Sequence, residues 1–301
     1  MKRRKNADNK LLKLLSGVLA VILVIIVGIF FPADENNDDT ATKRYTDYPF
    51  CVTFFDVGQG DAALISCGES NILVDGGEAE NSSSILKYLE NSGIEKLDGY
   101  ILSHPHSDHI GAASDIIDNI ECDYIFTTYF SEFNIPTTKT YESLIDSIYE
   151  SDAAVELVEA GDTYTFGELE IEIFAPMVES DEYNAMSVVF SASYKDTTVL
   201  FTGDTLKSVE AEIIAADYDV EADVIKVAHH GSTTSSSEEF YDAVSPDIAI
   251  ISCGLDNSYG HPHDEIVSML KEKEINCYRT DRNGNIHYFG DGNTMTVVTD
   301  R

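Results

Sequence analysis

Three histidines and an aspartate fall within six residues, His104-Pro105-His106-Ser107-Asp108-His109, directly after the apolar run Tyr100-Ile101-Leu102-Ser103. This spacing fits neither one face of a helix nor one face of a strand throughout, so the side chains converge only if a turn displays them. Imidazole nitrogen and carboxylate oxygen are zinc-type ligands, with Zn–N contacts of about 2.0–2.1 Å. As a packing device the cluster makes little sense, because every buried ring nitrogen needs its own partner. The stretch therefore predicts a metal-binding turn between a strand and a helix.

The rest of the chain supplies a scaffold for such a turn. From Phe50 onward, short β-rich runs alternate with amphipathic ones. Strands are predicted at 51–56, 63–67, 72–75, 99–103, 124–127, 169–174, 187–194, 198–202, 224–228 and 248–252, with weaker ones after Cys277; helices are predicted at 82–91, 110–118, 140–150, 207–215, 237–244 and 264–274. The order suggests sheets covered by helices rather than a simple βαβ wheel. No repeat of 20–50 residues interrupts it, and one folded domain over 49–301 follows.

Three more polar clusters sit where predicted strands end: Thr202-Gly203-Asp204, His229-His230-Gly231-Ser232 and Gly260-His261-Pro262-His263. Singly, each reads as a helix cap or a solvated loop. Together with the first cluster they take seven of the eight histidines, leaving only His287. Surface histidines scattered by chance would not gather at strand ends.

His104-x-His106-x-Asp108-His109 with the later Asp204 resembles the metallo-β-lactamase superfamily. Phe55-Asp56-Val57-Gly58-Gln59-Gly60-Asp61-Ala62, the stretch Lys226 to Ser232, and Tyr259 to His263 followed by Tyr278-Arg279-Thr280-Asp281 are similar to the hydrolase domain at the C-terminus of ComEC/Rec2 competence proteins. The resemblance implies an α+β fold, an αβ/βα four-layer sandwich. It also implies that His104 and His106 hold one ion, Asp108 and His109 a second, and that Asp204 bridges both. One histidine of the 229–230 pair completes the second set. His229, nearest the strand end, is assigned here, leaving His230 to orient it or to touch substrate. Where many superfamily members supply a third histidine to the first ion, this chain has Tyr183-Asn184-Ala185-Met186-Ser187. An amide oxygen is a harder and poorer ligand than imidazole, so one or two divalent ions, Zn or Mn, are expected.

In the chemistry this implies, solvent acidified by the ions attacks phosphorus. Asp108, Asp204 and His263 form the expected catalytic set. Asp204 orients the water, while His263 or His261 protonates the leaving oxygen or holds a phosphoryl oxygen. His230, His261, Asn184, Lys226 and Asp61 are expected to contact substrate or to support the ligands. Asp61 sits in the Gly58-Gln59-Gly60 turn, Asp75 before Gly76-Gly77, and Lys226 either meets a phosphate or forms an ordinary ion pair.

Charge decides among substrates and compartments. Residues 1–13 carry six basic side chains against Asp8, a net +5, which leaves −40 for the remainder of a chain of net charge −35. Adhesion to nucleic acid or anionic lipid through a broad basic surface is thereby excluded. Leu14 to Phe31 runs for 18 residues without a charge, long enough to span a hydrocarbon core. The flanking charges orient a single-pass helix with 1–13 cytoplasmic, 14–31 in the cell membrane, 32–48 as an acidic linker and 49–301 extracellular; the alternative is a cleaved signal peptide and a secreted domain. Five cysteines without CxxC spacing are expected as buried free thiols. The chain thus reads as a membrane-anchored, extracytoplasmic, metal-dependent phosphodiesterase or nuclease acting on DNA, with no protein partner inferable. The alternatives are a phosphocholine esterase-like enzyme of the cell envelope and a non-catalytic metal-containing binding module.

Overall fold

Residues 44–301 are described by a computed structural model; the expected tail 1–13, the anchor 14–31 and most of the linker lie outside the described residues. Among the described residues, no helix is long and apolar enough to cross a membrane.

Strand β1 (Phe50–Phe54) is buried at every position, with Phe50, Val52 and Phe54 in one apolar core and Thr53 on the opposite side. A strand covered on both faces reads as a continuous apolar run rather than an alternating one. It lies inside a sheet formed with β2 (Ala62–Cys67), β3 (Ser70–Asp75), β4 (Lys96–Ile101), β5 (Glu121–Thr127), β6 (Ala154–Leu157), β14 (Ile286–Gly290) and β15 (Met295–Thr299). The spatial order is β15-β14-β1-β2-β3-β4-β5-β6. The second sheet holds β7 (Thr163–Phe166), β8 (Leu169–Ala175), β9 (Val189–Tyr194), β10 (Thr197–Phe201), β11 (Val224–Lys226), β12 (Ile248–Ile251) and β13 (Asn276–Arg279), in the order β13-β12-β11-β10-β9-β8-β7.

The inner faces of the two sheets share one core. Phe54 stacks on Phe201, and Phe201 on Phe190 with centroids 4.8 Å apart. Each such fully buried aromatic contributes about 1.5–3 kcal/mol relative to exposure. The outer face of the first sheet is covered by α1 (Ser82–Ser92), α3 (Ala113–Asn119) and α4 (Lys139–Glu150) through Ile85, Leu89, Ile116 and Leu144. That of the second is covered by α5 (Lys207–Ala215), α6 (Glu238–Val244) and α7 (Asp264–Glu272) through Ile213, Phe240, Ile266 and Leu270. The result is the αβ/βα sandwich that the resemblance implies. Short helices α2 (Ser107–Ile110) and α8 (Thr280–Asn283) complete the set.

Several local expectations change. The helix expected over 110–118 is two helices, α2 and α3, parted at Gly111. There the chain passes so close to Ser107 and Ala79 that a Cβ would lie 2.4 Å from the Ser107 carbonyl oxygen and 2.7 Å from the Ala79 nitrogen. Strands β6 and β7 were not expected. Both are four-residue strands at sheet edges; β6 is mostly exposed, and β7 lays only Tyr164 and Phe166, half-buried, on the core, so neither gives the longer apolar pattern of a buried strand. Packing also starts before residue 49: Tyr45 stacks on His287 at 3.9 Å and Tyr48 packs on Phe289 at 4.4 Å. His287, the histidine outside the four clusters, is a core group whose Nδ1 lies 3.0 Å from Thr53 Oγ1. All five cysteines are free, four buried and Cys277 exposed.

Candidate metal centre

Two parallel sets of strands, β3 with β4 and β10 with β11 and β12, end at one edge of the sandwich. Carboxyl ends of parallel strands are where open αβ sheets collect polar groups. Strand β3 delivers Asp75, β4 leads into the 104–109 turn, β10 into Asp204, β11 into His229 and His230, and β12 into Ser252 and the 257–263 loop.

Two ligand groups form there and share Asp204. Asp108, His109, Asp204 and His230 each offer an atom within 4.8 Å of the others, as do His104, His106 and Asp204. His109 Nε2 lies 3.2 Å from Asp204 Oδ1, and His230 Nε2 lies 3.2 Å from Asp108 Oδ2. His104 Nε2 lies 3.7 Å from the other Asp204 oxygen, Oδ2, and 3.1 Å from His106 Nδ1. Asp204 thus turns one oxygen to each group.

A cation fits this arrangement. His109 Nε2 and Asp204 Oδ1 are both buried and near each other, yet neither has a hydrogen-bond partner among the described residues. Leaving a buried polar group unpaired costs about 1–3 kcal/mol, and lone pairs aimed at a common point are relieved by a shared ion. The rings are held from behind. His109 Nδ1 is 2.8 Å from Asp75 Oδ2, and Asp75 also accepts from the Ser103 amide at 2.8 Å and the Ser103 hydroxyl at 2.7 Å. His230 Nδ1 is 3.1 Å from the Ser252 carbonyl oxygen. An acceptor behind Nδ1 fixes the tautomer that presents a bare Nε2 to a metal.

The charge states point the same way. Burial pushes the Asp204 carboxyl up, but His109, His230 and His104 outweigh it and hold Asp204 well below the usual range. Burial likewise opposes ionisation of Asp108, and the His230 hydrogen bond with the His109 charge overcomes it. For His109 burial favours the neutral ring, yet Asp204 and Asp75 raise it well above the ordinary imidazole value; His230 is raised against burial by Asp204, Asp108 and Asp61. Buried Asp204 and half-buried Asp108 therefore stay anionic and draw positive charge to the cluster, as protons on His109 and His230 or as a cation in their place. His104, by contrast, is pushed well down by burial and by His109.

The geometry reverses the expected assignment within the histidine pair. His230 joins the second group, buried against Asp108, while His229 keeps about 23% of its side chain exposed, with Nδ1 3.0 Å from Thr234 Oγ1 and Nε2 3.6 Å from Asp204 Oδ2. The cause is backbone: His229 and His230 take φ of 50° and 54°, left-handed conformations that cost L-residues about 1–2 kcal/mol each. Gly231 follows at φ 84°, where a Cβ would lie 2.5 Å from Pro262 Cβ. Strain of this kind clusters at sites that the surrounding structure holds in place.

Three other residues singled out by the sequence have defined partners. Lys226 forms a buried ion pair with Asp61, Nζ to Oδ2 2.7 Å, and donates to the Val227 carbonyl at 3.0 Å, which leaves it no role as a phosphate contact. Asp61 supports the metal turn by donating its amide to the Asp108 carbonyl at 3.0 Å; a Cβ on the preceding Gly60 would lie 2.4 Å from that same oxygen. His263 does not line the open cavity over the cluster, because its Nδ1 accepts the Thr233 amide at 3.0 Å. His261 does line it, its ring pulled down to about 4 by burial and by His230 and His229.

The cavity, about 530 Å³, is lined by His106, Asp108, Asn184, Asp204, His229 and His261 among others. The Asn184 Oδ1 is buried and unpartnered among the described residues, and its Nδ2 lies 3.5 Å from His229 Nδ1. Thr138 and Thr140 also face the cavity from the start of α4. Nothing in the sequence singles them out beyond an N-cap, which Thr138 indeed forms with the Tyr141 amide. The Thr234 and Ser252 contacts to the histidine pair likewise leave no local signal.

The sequence model of the Metallo-beta-lactamase superfamily matches residues 55–125 and 180–255. ComE operon protein 3 of Bacillus subtilis (strain 168) is 30% identical over 258 residues, covering 79% of this chain and 32% of that protein. Recombination protein 2 of Haemophilus influenzae is 32% identical over 234 residues, covering 76% of this chain and 27% of that one. The chain thus spans about a third or less of the length of these curated relatives. Among solved structures, Igni18, a metallo hydrolase from Ignicoccus hospitalis KIN4/I, shares the fold with a TM-score of 0.51 at 15% identity, covering 83% of this chain and 100% of that one.

Proposed function

The chain belongs to the metallo-beta-lactamase superfamily and carries the site of a metal-dependent hydrolase, and from that premise we propose that it cleaves phosphodiesters, with a DNA strand as the substrate. The observation that carries this reading is the pair of ligand groups joined through Asp204 beneath an open cavity. The DNA assignment draws on the relative named Recombination protein 2.

His104, His106 and Asp204 would hold one divalent ion, and Asp108, His109, His230 and Asp204 the other. Bound there, a pair of ions acidifies a solvent molecule and neutralises charge on the attacking and leaving oxygens of an in-line displacement. The protein's part is to keep the ligands where they are. Asp75 and Ser252 lock the His109 and His230 rings, and the Asp61–Lys226 pair buttresses the turn carrying Asp108. His261 faces the cavity and, with its ring kept neutral by the shift to about 4, is placed to hold a phosphoryl oxygen rather than to protonate the leaving group. Were the Asn184 amide to complete the first group, its oxygen would favour Mn over Zn there. The apolar segment 14–31 tethers the enzyme to the membrane with the hydrolase domain outside.

A phosphocholine esterase-like activity is the second reading, favoured by the −40 charge of residues 14–301. One panel separates them. Full-length chain in detergent, supplied with Zn or Mn, is assayed on bis(p-nitrophenyl) phosphate, single-stranded DNA and glycerophosphocholine. Cleavage of the first two, lost in Asp204→Ala, supports the proposal. Turnover of the choline ester alone transfers it to the second reading, and failure on all three overturns both.

A further inference from the structure

Tyr259 lines the cavity, yet the hydrolysis described above gives it no task. Its ring is 66% exposed and lies nearly parallel to His261, centroids 5.7 Å apart at 22°; His261 lies 6.3 Å and 29° from His230. Three rings thus step from solvent down to the ligand cluster. The turn bearing Tyr259 is fixed by one side chain. Asn257 Oδ1 accepts the amides of Tyr259 at 3.2 Å and His261 at 3.0 Å, and its Nδ2 donates to the carbonyls of Gly254 at 2.9 Å and His261 at 2.6 Å. With all four hydrogen bonds of one amide directed at backbone, an exposed aromatic is held in a set orientation.

Among the described residues, no lysine or arginine lines this cavity. Proteins that hold duplex DNA neutralise several phosphates at once, and nothing here could do so beyond the ligand cluster itself. A flat aromatic face, by contrast, binds any base through its π-surface. A quaternary ammonium is better served by an aromatic cage, whereas these rings are close to parallel.

We propose that Tyr259 is a base-stacking platform, and that the site takes a short or terminal single-stranded phosphodiester with one base on Tyr259 and the scissile phosphate at the Asp108–Asp204 cluster. The proposal rests on the phosphodiester reading. It is tested with full-length chain and three substrates: a thymidine dinucleotide, the same dinucleotide lacking one base, and closed circular duplex DNA. A fourth probe, a 2-aminopurine dinucleotide with an uncleavable methylphosphonate link, reports stacking as fluorescence quenching without turnover. The base-bearing dinucleotide should be preferred about tenfold in kcat/KM, mainly through KM, with the circular duplex resistant. Tyr259→Ala should erase both the preference and the quenching, and Tyr259→Phe should keep them. Equal turnover with and without the base, quenching that survives Tyr259→Ala, or ready nicking of the duplex overturns the platform while leaving phosphodiester hydrolysis intact. Absence of cleavage of any phosphodiester, bis(p-nitrophenyl) phosphate included, overturns the underlying reading and the proposal with it.

Discussion

The two ligand groups that meet at Asp204 are built unequally. In the group containing Asp108, His109 and His230, both rings are fully buried and each is backed by an acceptor, Asp75 or the Ser252 carbonyl. In the group containing His104 and His106, His104 is backed only by the Ser103 hydroxyl at 3.1 Å, His106 is half-buried, and Asn184 on the cavity wall leaves its Oδ1 without a partner among the described residues. Outer partners order a ligand before the ion arrives. The Asp108–His109–His230 half should therefore hold its ion tightly, and the His104–His106 half should exchange it readily.

The comparison breaks most severely at the residue both halves share. Asp204→Ala should bring hydrolysis to background and strip both ions, measured as metal content after gel filtration. A smaller effect is expected from Asp75→Asn, which keeps the shape but weakens the acceptor behind His109. It should lower affinity for the tighter ion about 10- to 100-fold, read by competition with a chromophoric chelator. Smallest, and opposite in sign, is Asn184→His. An imidazole there should raise affinity for the weaker ion by less than that roughly tenfold floor and shift its preference from Mn toward Zn, read by the same competition.

The sequence makes legible what is local. The turn at 104–109 announces itself by ligand density, and strands such as Phe50–Phe54 and Val224–Lys226 by apolar runs that two covered faces require. What escapes is set by distant partners. Edge strand Ala154–Leu157 exists because Tyr124 to Thr127 offers it a ladder, not because Val155 and Leu157 bury anything. Lys226 finds Asp61 across 165 positions of chain, and neither residue's neighbours foretell the pair. The choice between His229 and His230 turns on two positive φ angles at non-glycine residues, a conformation with no signature in residue type. On paper His263 takes the catalytic place ahead of His261, and only the structure shows that its Nδ1 is taken by the Thr233 amide while His261 lines the cavity.

The most direct test of the cluster is the metal stoichiometry of His230→Ala beside His229→Ala, by equilibrium dialysis and elemental analysis against wild type. Two ions per chain are expected for wild type and for His229→Ala, and one for His230→Ala. Full occupancy in His230→Ala with a missing ion in His229→Ala would contradict the arrangement around Asp204 described here.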